Sequence, residues 1–242
     1  MQQVHVKRIV KLHKLFIEGK VKGPAQHEVN PSLPKGTREN YLYFTLPCAI
    51  NFQRNSPALW KSALNTYEDK ETNYLFFPEK VVKTDYNKVM RDLRKHKLSM
   101  QPVKHCKIWV ALSKTLDTYY DGDPRLILKE KKHDVVEIIY MLQRSKKELF
   151  PYLGGPKLSN YWLFILAHFT DAKFKNVEEI SIIPDTHVIK SSIQLGVVHE
   201  NTTDPKAVEL AWRPILKQLS IPPTEMHSAL WRWSRENFQP NC

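Results

Sequence analysis

Residues 150–160 read Phe-Pro-Tyr-Leu-Gly-Gly-Pro-Lys-Leu-Ser-Asn, and residues 183–188 read Ile-Pro-Asp-Thr-His-Val. Each stretch sets a chemically capable side chain where a helix should begin. Gly154 and Gly155 can take backbone angles closed to other residues, and without side chains they let an anion reach the amides. Pro156 suits the first helical position, where no N–H is needed. The next amides point out of the helix start, and the macrodipole there favours a phosphate. Lys157 stands at the same positive end, and beside Leu158 and Tyr161 it is expected to be partly buried. Both conditions disfavour the ammonium form, and a neutral amine is a nucleophile. Asp185 precedes an apolar run as a favoured N-cap residue.

The elements that must position these groups read as helices. The stripe Leu158, Tyr161, Trp162, Ile165, Leu166 and Phe169 predicts a helix over 157–169, and Val135, Ile138, Ile139 and Leu142 predict one over 134–149. Further helices are expected over about 3–18, 57–67, 85–97, 103–119, 186–195, 204–219 and 224–238. Gly196 closes the 186–195 helix, and Pro214 kinks or divides the one after Asp204-Pro205. Residues 19–38, with Gly19, Gly23, Pro24, Pro31, Pro34 and Gly36, form an extended loop. Asp121-Gly122-Asp123-Pro124 reads as a helix–helix loop. The expected fold class is all-α.

The formal charge of +12 over 242 residues says nothing about fold but biases partners toward polyanions. Cys48, Cys106 and Cys242 show neither a CxxC nor a ligand spacing with histidine, which argues against a disulfide framework and against zinc. No apolar run reaches the ~18–20 residues of a membrane span. Residues 1–20 mix apolar and basic groups without a signal-peptide core. The expectation is a soluble, monomeric protein of the cytoplasm or nucleoid (the nucleus in a eukaryote), with no membrane partner.

Leu153-Gly154-Gly155-Pro156-Lys157, with Pro184-Asp185-Thr186-His187 downstream, resembles the helix-hairpin-helix DNA glycosylase superfamily. Leu153 stands where that pattern normally has its first glycine. The long interval from Lys157 to Asp185 is similar to the archaeal 8-oxoguanine DNA glycosylase branch. Asn40–Arg54 with Ala58-Leu-Trp60, and His227–Arg235, also look like that branch. The four-cysteine iron–sulfur loop of some members is absent. The resemblance implies two helical subdomains flanking a DNA-binding cleft: 68–188, carrying the hairpin at about 134–169, and a discontinuous one of 1–67 plus 189–242. It implies that Gly154, Gly155 and Lys157 hold a DNA phosphate and that Lys157 attacks the sugar of a damaged nucleotide. Asp185 would cap its helix, stabilise charge at the anomeric carbon and help activate the lysine.

An extruded base needs flat walls and a few polar partners. Asn51, Gln53, Arg54, His187 and Trp231 are the candidates for contacts to DNA or the base, with Trp60, Trp212 and Trp233 as further aromatic walls. Gln53 matches the region that inserts a polar side chain into the gap left by the base, and His187 is expected to pack and hydrogen-bond. Trp162 belongs to an apolar stripe and reads as core. The implied function is a bifunctional DNA glycosylase and abasic-site lyase acting on double-stranded damaged DNA. An oxidised base, first 8-oxoguanine, would leave through a lysine Schiff base in base excision repair. It needs no metal or organic cofactor, though a monovalent cation at the hairpin is compatible. The alternatives are a non-catalytic hairpin DNA-binding protein and an N-glycosidase acting on a nucleoside or RNA.

Overall fold

Apolar residues recurring at helical spacing, punctuated by sixteen prolines, leave little room for strands. In the computed structural model, which describes residues 6–22 and 28–242, every regular element is helical. In chain order these are α1 (Val6–Ile17), α2 (Arg38–Thr45), α3 (Ser56–Glu68), α4 (Pro78–Val81), α5 (Tyr86–Lys95) and α6 (Pro102–Tyr120). They continue with α7 (Arg125–Glu130), α8 (Val135–Tyr140), α9 (Pro156–Phe169), α10 (Thr186–Gln194), α11 (Pro205–Leu219) and α12 (Pro223–Arg235). Short 3-10 and π turns lie between them. None of the described helices is long and apolar enough to cross a membrane. Residues 3–5 of the first expected helix, with Gly23 and Pro24, lie outside the described residues.

The local signals act as their chemistry requires. Asp85, Asp134, Asp185 and Asp204 each cap a helix by accepting first-turn amides. Asp121 ends α6 in the left-handed conformation, with Gly122 at φ 66° after it. Gly196, at φ 69°, follows α10. Pro214 lies inside α11 without dividing it. The expected 134–149 helix is instead broken into α8, a π turn over Met141–Ser145 and a 3-10 turn over Lys147–Leu149.

Contacts divide the chain into two compact units: the described part of Met1–Ala25 with Val177–Cys242, and the described part of Gln26–Asn176. These bounds differ from those read from sequence. Residues 28–67 belong with the segment carrying α9, because α2 and α3 bury Tyr43, Phe44 and Trp60 among its aromatics. Phe44 stacks on Phe169 at 5.0 Å, and Trp162 donates its indole N–H to Thr45 Oγ1 at 3.0 Å. Asp185 and α10 belong with the C-terminal helices. The core of that unit runs from Ile9 and Leu12 through Val188, Val208 and Trp212 to Leu230 and Trp233.

The larger unit carries a buried histidine that makes its stability depend on pH. His105, on α6, is 1% exposed, and its Nε2 has no partner among the described residues. Burial pulls its pKa down to about 4, helped by Arg54 and Lys104. The folded state therefore holds a neutral imidazole, while the unfolded chain binds a proton below about 6.5. Stability is full above that value and falls with pH until about 4. Acidification from pH 7 to 5 is expected to remove on the order of 2 kcal/mol through this group alone. His105→Gln should flatten that part of the pH profile of urea unfolding; an unchanged profile would count against it.

Candidate active site

The turn before α9 is built by close backbone approach. The Gly154 amide donates to the Phe150 carbonyl at 2.8 Å, and the Gly155 amide to that of Tyr152 at 2.9 Å. Neither glycine is left-handed: the positive φ belongs to Tyr152, at 62°. What Gly154 supplies is absence, since a Cβ there would sit 2.3 Å from the Leu142 carbonyl oxygen. A Cβ on Gly155 would meet only the Tyr152 carbonyl, at 3.1 Å. The π turn carries Leu142 to this place; such turns often mark functional sites. Thr115 Oγ1 donates to the Leu149 carbonyl at 2.6 Å, and Gln143 Nε2 to Ser159 Oγ at 2.7 Å, tying the turn to α6 and α9. Gly154→Ala should cost about 1–3 kcal/mol in urea unfolding, because backbone must move. Gly155→Ala should cost less. Equal costs would show that the approach to Leu142 is relaxed easily.

Pro156 opens α9 behind Gly155, and no side chain caps this helix. Pro156 has no N–H, so the Lys157 and Leu158 amides are the donors that a helix start leaves for solvent or a ligand. Lys157 itself is exposed, and its ammonium has no hydrogen-bond or ion-pair partner among the described residues. This corrects the expectation of partial burial. A helical side chain leans toward the N-terminus, and at the second position there is no preceding turn to cover it. Tyr161, one turn on, is buried instead. Its hydroxyl receives the Trp60 indole N–H at 2.8 Å, meets Ser56 Oγ at 3.0 Å and donates to Glu28 Oε1 at 3.3 Å.

Asp185 is half-buried at the start of α10 in the other unit. Its Oδ1 accepts the His187 and Val188 amides, each at 2.9 Å, and its Oδ2 accepts the Trp231 indole N–H at 3.1 Å. Both oxygens are thus aimed by donors on two helices. The His187 ring meets Trp231 edge-on at 5.7 Å, and its Nδ1 lies 3.1 Å from Ser234 Oγ. Burial lowers the His187 pKa; Asp185 opposes the shift, while Arg235 and Lys190 add to it. Arg235 lies 5.2 Å over the Trp231 ring. Three residues singled out from sequence, Asp185, His187 and Trp231, therefore form one cluster. Sequence reading did not foresee that Trp231 holds the carboxylate.

The Asn51–Arg54 segment lies in the larger unit, and its residues separate. Asn51 turns inward and donates to Ser56 Oγ at 3.1 Å. Arg54 gives its guanidinium to the Leu98 carbonyl at 2.6 Å and the Lys97 carbonyl at 3.4 Å, and burial pulls its pKa down to about 10. Gln53 alone is exposed, in a left-handed conformation at φ 51°. Trp60, Trp212 and Trp233 are core, each with its indole nitrogen bonded. Trp162 is buried as expected.

No protein-family model matches the chain, and no curated protein matches it.

Proposed function

We propose that this protein is a bifunctional DNA glycosylase and abasic-site lyase acting on an oxidised base, with 8-oxoguanine the first substrate to test. The observation that carries the reading is a pair of chemistries at two helix starts. One is an exposed amine beside uncapped amides. The other is a carboxylate with both oxygens held by N–H donors. Amides at a helix start suit a phosphate, and the formal charge of +12 suits a polyanion. The helix-hairpin-helix resemblance connects these parts to a damaged nucleotide.

In this reading the Lys157 and Leu158 amides take a phosphate oxygen. Lys157 Nζ, deprotonated, forms a bond to C1′ as the N-glycosidic bond breaks and the base leaves with its electron pair. Asp185 stabilises the positive charge that develops on the sugar. The C1′-bound nitrogen gives up one proton, its lone pair opens the ring as the ring oxygen takes up a proton, and a protonated Schiff base results. Loss of a C2′ proton to base then expels the 3′ phosphate as the C3′–O bond breaks, nicking the strand. A monovalent cation at the turn would share carbonyls that already accept the Gly154 and Gly155 amides, and no step depends on it.

The test is a panel of duplexes, each carrying a single lesion, incubated with the protein with and without borohydride. Release of 8-oxoguanine should exceed release of guanine by orders of magnitude, with a trapped covalent complex. Release confined to alkylated adenine would reject the oxidised-base assignment. Duplex binding without trapping would favour a non-catalytic DNA-binding protein, and base release from free nucleosides without DNA binding would favour a nucleoside hydrolase.

Binding should also respond to salt. If the turn and several lysines and arginines neutralise phosphates, affinity should fall on the order of 10³-fold between about 50 and 200 mM salt. A flat response in a titration of labelled duplex would reject the nucleic-acid partner.

A further inference from the structure

One surface cluster in the larger unit has no part in the chemistry above. Phe52 and Tyr152 stack at a ring separation of 4.5 Å and an interplanar angle of 19°. Lys104 Nζ lies 4.8 Å from the centre of each ring. His105 meets the edge of Phe52 at 5.0 Å. Beside Phe52, Gln53 accepts a hydrogen bond from Gln101 Nε2 at 3.1 Å.

Gln53 (φ 51°) and Tyr152 (φ 62°) are both left-handed without being glycine, as are nine other described residues. Strain of this kind persists where surrounding structure over-determines it, and it concentrates at binding sites. A turn that needed only left-handed geometry would be served without steric strain by glycine. The chain places glycines two and three residues further on, at 154 and 155, yet keeps a large ring at 152 that is 42% exposed.

We infer that the Phe52–Tyr152 stack, with Lys104 over both rings, is a platform on which an unpaired DNA base stacks. An exposed aromatic face accepts any base, and an adjacent cation suits the phosphate joined to it. The Gln53 and Gln101 amides add hydrogen-bonding groups beside the ring. Tyr152 lies five residues before Lys157 in the turn that leads into α9, so a strand held at that helix start would pass near the platform. The base is one that has lost its partner, because a paired base offers no free face. This inference rests on the nucleic-acid half of the proposed function and not on the lysine chemistry.

The test compares three labelled DNAs: a duplex with one tetrahydrofuran abasic analogue, the same duplex intact, and a single strand. All are measured at about 50 mM salt, where parent protein should bind each of them. Tyr152→Ala should weaken binding of the first and third on the order of tenfold, the range for one lost base stack. It should change binding of the intact duplex little. Tyr152→Phe should restore parent affinity, because the ring and not the hydroxyl carries the stack. Urea unfolding of both variants shows whether the fold is kept. If Tyr152→Ala binds all three DNAs like the parent, or loses equally on all three, the platform is refuted and the stack only pins the turn. A parent protein that binds none of them refutes it too. Tyr152-dependent binding without borohydride trapping would leave the platform standing and reject the lyase. Trapping with no Tyr152 dependence would do the reverse.

Discussion

Lys157→Gln is expected to abolish borohydride trapping and strand nicking, on the order of 10³-fold or more, while abasic-duplex binding stays within a few-fold of the parent. Glutamine keeps length and polarity but cannot form a Schiff base. Lys157 is exposed and unpartnered among the described residues, so the substitution should leave the urea midpoint unmoved. That makes the readout clean, because a loss of trapping could not be blamed on the fold. A Lys157→Gln protein that still traps would mean that another amine is the nucleophile.

The second large effect belongs to Asp185. Asp185→Asn should slow base release by ~10²–10³-fold through loss of preorganised negative charge. Asparagine caps about as well as aspartate, so its carbonyl can still accept the His187 and Val188 amides. Its NH2 would then face the Trp231 indole N–H, donor against donor, where Oδ2 now accepts at 3.1 Å. The expected stability loss is about 1–2 kcal/mol. Trp231→Phe supplies the control, since it removes that hydrogen bond and keeps the charge. Its release rate should fall far less than that of Asp185→Asn at a similar loss of stability. Equal rates in the two variants would reduce Asp185 to a helix cap.

The two helix starts were legible from sequence for different reasons. The α9 stripe is nearly continuous, and Leu158, Trp162, Ile165 and Leu166 are buried as their spacing required. Asp185 caps α10 through the bond that its residue type favours. The surroundings were less legible. A π turn adds a residue to a helical ladder without changing composition, so 134–149 read as one helix although Met141–Ser145 departs from it. Gly154 suggested a turn needing glycine's angles; the cause is instead the approach of the Leu142 carbonyl, which no local pattern encodes. Trp231 and Asp185 are far apart in the chain, and only the packing of α10 on α12 shows that one holds the other. The Phe52–Tyr152 stack likewise joins residues a hundred positions apart.

The two hydrogen-bonded oxygens of Asp185 bear on how this chain could change over generations. A substitution that removes the carboxylate leaves the Trp231 N–H without its acceptor, and any replacement but asparagine or another capping residue also uncaps α10, so selection for folding alone would tend to hold aspartate in place after any activity had lapsed. Lys157 has no such anchor and could drift at no cost to the fold. On the proposed reaction, a descendant that kept Asp185 and lost Lys157 would therefore record a lost activity.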